Sequence, residues 1–109
     1  MATIEDFKGL DIRIGTVIKA EPFPEAKKPA TKLEIDFGEV GVKQSSAQIT
    51  KRYEPKQLIG RQVVAVVNFP PRRIAGFKSE VLILGGVEKE GDVVLLRPDD
   101  LVENGTSVS

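Results

Sequence analysis

Along Lys32 to Gly38 the apolar residues Leu33, Ile35 and Phe37 alternate with Glu34 and Asp36. A period of two is the mark of a strand with one buried face. Asp11 to Glu21 starts the same way, with Ile12 and Ile14 flanking Arg13, but after Gly15 the apolar positions become Val17 and Ile18. Loss of alternation after a glycine predicts a bulge or sharp bend there. Arg61 to Asn68 is a near-continuous apolar run, which predicts a central strand buried on both faces. Val42 to Ala47 continues from a short turn at Glu39-Val40-Gly41, yet Lys43, Gln44, Ser45 and Ser46 are polar. Two readings stand open: an edge strand kept polar against aggregation, or a wet face lining a groove. Val81 to Leu84 and Asp92 to Leu96 predict two further strands, with Gly85-Gly86 as a turn. Asn104-Gly105 between Val102 and Val108 predicts a closing hairpin.

Helical signals are few. Thr3 followed by Asp6 resembles a starting cap, Ile4, Phe7 and Leu10 recur every third residue, and Gly9 is placed to end the turn. So short a helix is unstable alone and must dock on its own barrel or on a second subunit. Gln48 to Leu58 predicts a helical turn or two interrupted at Pro55. The loop Pro22 to Thr31 holds three prolines with Lys27 and Lys28. An all-β fold accounts for this order: a five-stranded OB-fold Greek-key barrel with a short N-terminal helix, a short helix between strands 3 and 4, and C-terminal strand extensions. A single domain spans residues 1–109. An SH3-like barrel offers no natural place for Gln48 to Leu58.

The stretch from Asn68 to Gly86, NFPPRRIAGFKSEVLILGG, interrupts the pattern. Pro70 and Pro71 donate no backbone hydrogen bond, and Pro70 biases Phe69 toward an extended conformation. A stiff loop is predicted, neither helix nor central strand. It carries Phe69, Ile74 and Phe77 beside Arg72 and Arg73. Either these side chains form a binding surface, or the phenylalanines fold into the core and the arginines are solvated.

Composition narrows the chemistry. Sixteen basic residues balance sixteen acidic ones, so attraction to nucleic acid or membrane must come from local patches. Cysteine and histidine are both absent, which removes disulfides, thiol nucleophiles, imidazole catalysis and most zinc and copper sites. Glu21, Glu25, Asp36, Glu39 and Asp99-Asp100 show no spacing that suggests a pair in one pocket, and no phosphate-cradling loop follows Gly85-Gly86. No enzyme, catalytic residue, metal or cofactor is expected. Nor is membrane insertion, since no apolar stretch approaches a membrane span. MATIEDFKGL lacks the features of a signal peptide, so a cytoplasmic protein is expected.

Asp11-Ile12-Arg13-Ile14-Gly15, then Pro24 with Ala26 and Lys32-Leu33, resemble the opening signature of the tRNA-binding OB domain family. Asn68, Gly76, Ser79 and Glu80 fall where that family has its Asn…Gly…Ser-Glu element. KQSSAQITKRY and NFPPRRIAGFKSEVLILGG resemble the CsaA group within it, which are bacterial export-related chaperones. Val81-Leu82 stands where the wider family has Gly-Met. The resemblance covers essentially the whole chain. It implies a homodimer with the N-terminal helix and C-terminal strands near the interface. It also implies a chaperone for unfolded or precursor polypeptides that works beside SecA in protein export, with an affinity for tRNA.

Two binding mechanisms fit these residues. A polypeptide would meet apolar contact from Phe69, Ile74 and Phe77, with Arg72 and Arg73 at the rim, while Gln44, Ser45, Ser46 and Asn68 bond its backbone. An RNA would lie over strands two and three on Lys27, Lys28, Lys32, Lys43, Lys51, Arg52, Arg72, Arg73 and Lys78. The family match implies that Asn68 and Ser79 then read an RNA edge. Aromatic residues are only 6% of the chain, too few for a long stacking platform.

Overall fold

The computed structural model describes all 109 residues. Helix α1 (Ile4–Lys8) begins with a complete capping box: the Asp6 amide donates to Thr3 Oγ1 at 3.2 Å and the Thr3 amide donates to Asp6 Oδ2 at 2.8 Å. Gly9 closes it. Its apolar residues stay uncovered, with Ile4 62% exposed and Phe7 and Leu10 above one third.

Strands β1 (Ile12–Pro22), β2 (Thr31–Asp36), β3 (Val42–Ala47), β4 (Gln62–Val66) and β7 (Leu82–Ile83) form one antiparallel sheet in the order β3-β2-β1-β4-β7. β1 serves both halves: Ile12 to Thr16 pairs with β4, and Thr16 to Pro22 pairs with β2. The register slips between Val17 and Lys19, which puts the irregularity at Ile18, just after Gly15, where the alternation breaks. Gly15 is required for close approach. A Cβ there would meet Ile35 and Phe37 side-chain carbons at 2.7 Å and the Asp36 carbonyl at 2.8 Å.

The ends of the sheet meet where β3 runs beside residues 79–81. The Glu80 amide donates to the Gln44 carbonyl at 2.8 Å, the Gln44 amide to Glu80 Oε1 at 3.1 Å, and the Ser46 amide to Ser79 Oγ at 3.1 Å. This closes the five strands into the OB-fold barrel. Inside it Val17, Leu33, Ile35, Phe37, Leu58, Val63 and Ala65 form the main core. Ile12, Ile14, Val64 and Val66 form a second cluster on the outer face of β1 and β4, beneath Leu84, Val102 and Val108. Both faces of β4 are therefore buried, which explains its unbroken apolar run.

The second cluster is covered by the C-terminal tail, which pairs with β1. Ile14 donates to the Thr106 carbonyl at 3.0 Å, and Val108 donates to the Ile12 carbonyl at 2.9 Å. Asn104-Gly105 makes the turn that aims the tail, with Gly105 at φ 91 and Thr106 donating to the Glu103 carbonyl. The predicted hairpin between Val102 and Val108 does not form, because β1 offers the tail a longer partner. Helix α2 (Pro55–Leu58) is one turn, and Pro55 opens it where a helical interruption was expected. Proline suits the first helical position, whose amide has no partner to lose.

Two short hairpins stand outside the main sheet. β5 (Arg72–Ile74) pairs with β6 (Phe77–Ser79), and β8 (Gly85–Val87) pairs with β9 (Val93–Leu95). The proline-rich stretch is thus only partly a loop. Pro70 and Pro71 sit in the approach, and the residues after them pair around a two-residue turn at Ala75 (φ 47) and Gly76 (φ 82), the mirror-image type that matches strand twist. Gly85-Gly86, expected as a turn, lies in β8 instead. The turn falls at Lys89–Gly91, where Glu90 and Gly91 take positive φ.

Candidate functional site

Between the two hairpins lies a cleft of about 430 Å³, within the range typical of ligand sites. One wall is the β5–β6 hairpin with Phe69 and Pro70 before it. The other is the β8–β9 hairpin, presenting Val87, Val93 and Leu95. Ala47 to Ile49 and the segment Glu80 to Ile83 complete the lining. Phe69 remains 43% exposed, Leu82 46% and Val87 74%, so the apolar surface is open to a ligand. Ser46, Ser79, Glu80 and Arg72 supply its polar groups.

Of the residues proposed from sequence, the fold brings Ser46, Phe69, Arg72, Ile74 and Ser79 together in this cleft. Antiparallel pairing explains the sorting on the hairpin. Arg72 opposite Ser79 and Ile74 opposite Phe77 share one face, while Arg73 opposite Lys78 lies on the other. Arg73 is exposed, with Nη1 donating to the Gly76 carbonyl at 3.3 Å.

The remaining proposed residues are placed elsewhere. Phe77 packs edge-on against the buried Phe23 ring at 5.4 Å, and Lys32 Nζ sits 4.7 Å from the Phe23 centroid and 5.2 Å from that of Phe77. This cation–π cluster anchors the hairpin to β2. Lys43 lies opposite Ile35 on β3 and does not line the cleft. Gln44 Nε2 donates to the Lys78 carbonyl at 2.9 Å. Ser45 is buried, and its hydroxyl donates to the Val81 carbonyl at 2.8 Å. Both Gln44 and Ser45 thereby close the barrel. Asn68 braces α1: its Oδ1 accepts from the Asp11 amide at 2.8 Å, and its Nδ2 donates to the Gly9 carbonyl at 2.9 Å. These bonds fix the orientation of each side chain and take up part of its hydrogen-bonding capacity.

Sequence reasoning overlooked the second wall. Val93 and Leu95 read as ordinary strand positions and Gly85-Gly86 as a turn, with Val87 outside the expected strands. The available signal was the glycine pair inside an apolar run, which can mark close backbone approach. A Cβ on Gly85 would meet Val93 Cγ1 at 2.7 Å and the Val94 carbonyl at 2.8 Å.

The β8–β9 wall is held by polar contacts. Arg52 grips Asp92 with Nη2 to Oδ2 at 2.6 Å and Nε to Oδ1 at 3.2 Å, Lys51 donates to the Glu90 carbonyl, and the Leu95 amide donates to the Tyr53 hydroxyl at 3.0 Å. The hydrogen bond from Arg52, with its charge, holds the Asp92 carboxyl below its ordinary pKa, and the same pairing raises Arg52. A second, polar cleft near Arg13, Glu39 and Glu103 is more open. There the Arg13 guanidinium is already bound to Asp11 at 2.6 Å and to the Gly105 carbonyl at 3.0 Å.

A family model described as a putative tRNA binding domain matches residues 12–107. Among curated proteins, the methionine–tRNA ligase of Methanococcoides burtonii is 38% identical over 99% of this chain, and that of Archaeoglobus fulgidus is 44% identical over 97%. The chain spans only 16% of the length of either ligase. Among solved structures, chaperone CsaA of Bacillus anthracis is 69% identical with a TM-score of 0.96, covering 100% of this chain and 99% of its own. The CsaA chaperone protein of Picrophilus torridus is 49% identical with a TM-score of 0.94, covering 100% of both chains. A MetRS-related protein of Pyrococcus horikoshii is 27% identical with a TM-score of 0.89, covering 100% of this chain and 98% of its own.

Proposed function

The chain belongs to the tRNA-binding domain family, in its CsaA-type branch, and from that premise we propose that it is a chaperone that holds unfolded or precursor polypeptides. The carrying observation is the open apolar cleft between the two hairpins, bounded by polar groups, the arrangement that captures an extended apolar segment. Phe69, Ile74, Leu82 and Val87 form the contact surface, and Arg72, Ser46 and Ser79 its polar edge. One such cleft binds weakly, because association costs offset much of the apolar gain. A homodimer would add avidity. The uncovered Ile4, Phe7 and Leu10 of the N-terminal segment support a dimer face. The export setting and the contact with SecA rest on the CsaA resemblance, and the cytoplasmic location on the reading of the N-terminal sequence.

The test is titration with a permanently unfolded polypeptide. Phe69→Ala removes a half-exposed side chain and should weaken binding by about 1–2 kcal/mol, roughly five- to thirty-fold, with the fold intact. Unchanged affinity removes the cleft from the mechanism.

The second reading, tRNA binding, is favoured by the family match and by the methionine–tRNA ligase relatives. RNA affinity should fall steeply between about 50 and 200 mM salt, whereas apolar polypeptide binding changes little over that range.

A further inference from the structure

The two walls of the cleft carry opposite electrostatic bookkeeping. On the β8–β9 side cations and acids balance: Arg52 is paired with Asp92, Lys51 bonds the Glu90 carbonyl, and Lys89 stands between Glu88 and Glu90 in the turn. On the β5–β6 side Arg72, Arg73 and Lys78 fall within one six-residue hairpin and its turn, and none of them makes a salt bridge. Arg73 and Lys78 stand directly opposite each other across the hairpin. Directly opposed like charges destabilise a strand pair, and neither side chain forms a salt bridge with a carboxylate. Glu80, the one acid on that side of the cleft, already accepts from the Gln44 amide at 3.1 Å.

We propose that the cleft selects apolar segments flanked by acidic residues, with the acidic flank leaving the cleft past Arg72 and crossing the β5–β6 hairpin to Arg73 and Lys78 on its outer face. This deepens the polypeptide-holding reading and rests on it. An anionic flank relieves the repulsion between Arg73 and Lys78, whereas a basic flank adds to it. Like-charge juxtaposition of this kind rejects wrong partners while complementary charge speeds encounter. The neutralised opposite wall gives the bound segment a direction, since only one side of the cleft favours negative charge. Segments led by lysine or arginine are disfavoured at the hairpin.

The experiment uses the full chain and two synthetic peptides that share one apolar core, one flanked by glutamates and the other by lysines. At about 50 mM salt the glutamate peptide should bind at least five-fold more tightly, and the gap should shrink below two-fold near 0.5 M, where screening acts within a few ångströms. The double variant R73S/K78S, with both changes on the exposed outer face, should erase most of the low-salt gap by weakening the glutamate peptide toward the lysine peptide. Equal binding of the two peptides, or preference for the lysine flank, overturns the acidic selectivity and leaves the polypeptide reading standing. Binding of neither peptide overturns both. If an RNA oligonucleotide displaces the glutamate peptide and R73S/K78S abolishes RNA binding instead, the hairpin cations serve a nucleic acid and the inference fails.

Discussion

The two hairpins flanking the cleft are the same size, three residue pairs each, yet they are secured by different means. Neither belongs to the main sheet, so each must be fixed by what its side chains and edges reach. β8–β9 is latched at its turn by Arg52 on Asp92 and at its base by Tyr53 on the Leu95 amide. β5–β6 is held from the inner face, by Phe77 against Phe23 and Lys32 and by Gln44 and Ser79 across the barrel seam. The first wall pairs Arg52 with Asp92 and carries as many acids as bases around its turn; the second leaves three cations without a salt bridge. Walls built at equal length can thus carry unequal duties, one as a neutral backstop and the other as a charged approach.

The largest way to break this symmetry is Gly85→Ala. Its Cβ would press on a β9 backbone oxygen as well as a side chain, and overpacking against backbone costs about 1–3 kcal/mol. Chemical denaturation should show that loss, with β8–β9 amides losing exchange protection before those of β5–β6. Tyr53→Phe removes the acceptor for the Leu95 amide and should cost about 1 kcal/mol, read as a lower denaturation midpoint with an unchanged slope. Acidification tests the latch itself. Asp92 has a depressed pKa in the folded protein, so its contribution is present above the ordinary carboxylate range and is lost as pH falls through the folded value. The protection of the Gly91 and Asp92 amides, relative to their intrinsic exchange rates, should therefore fall below about pH 4. In Asp92→Asn the same amides should be less protected at neutral pH and should not respond to acid through this group. The smallest effect is expected on the other hairpin. Ala75 holds φ 47, a left-handed conformation that strains a non-glycine residue, so Ala75→Gly should stabilise the fold by about 0.5–1 kcal/mol, measurable as a modest rise in Tm.

Much of the barrel is legible in local pattern. The alternation of Leu33, Ile35 and Phe37 places them in the core, the apolar run of β4 marks it as buried on both faces, and Thr3 with Asp6 marks the start of α1. Those signals are local because backbone periodicity and caps act over a few residues. Misreadings arise where a distant partner decides. Gly15 itself also marks close contact with β2, while the irregularity signalled after it falls at Ile18. Gly85-Gly86 continues as strand because β9 passes beside it, and Asn104-Gly105 turns the tail onto β1. Pro55 begins a helix because the turn before it is set by the packing of Ile49 and Tyr53 in the core.

The site divides along the same line. Phe69, Arg72 and Ile74 are recognisable in sequence as apolar and cationic groups after a proline brace, and they do line the cleft. Asn68, Gln44 and Ser45 are equally polar in sequence, yet the fold commits them to holding α1 and closing the barrel. Residue types alone marked the main barrel strands and the start of α1, the lack of thiol and imidazole groups, and the family the chain resembles. Only the tertiary structure decided which polar groups are already satisfied, that a second hairpin supplies the facing wall, and which cations keep no acidic partner. The reason is physical: hydrogen-bond saturation and charge pairing depend on contacts between residues tens of positions apart, and no local pattern encodes them.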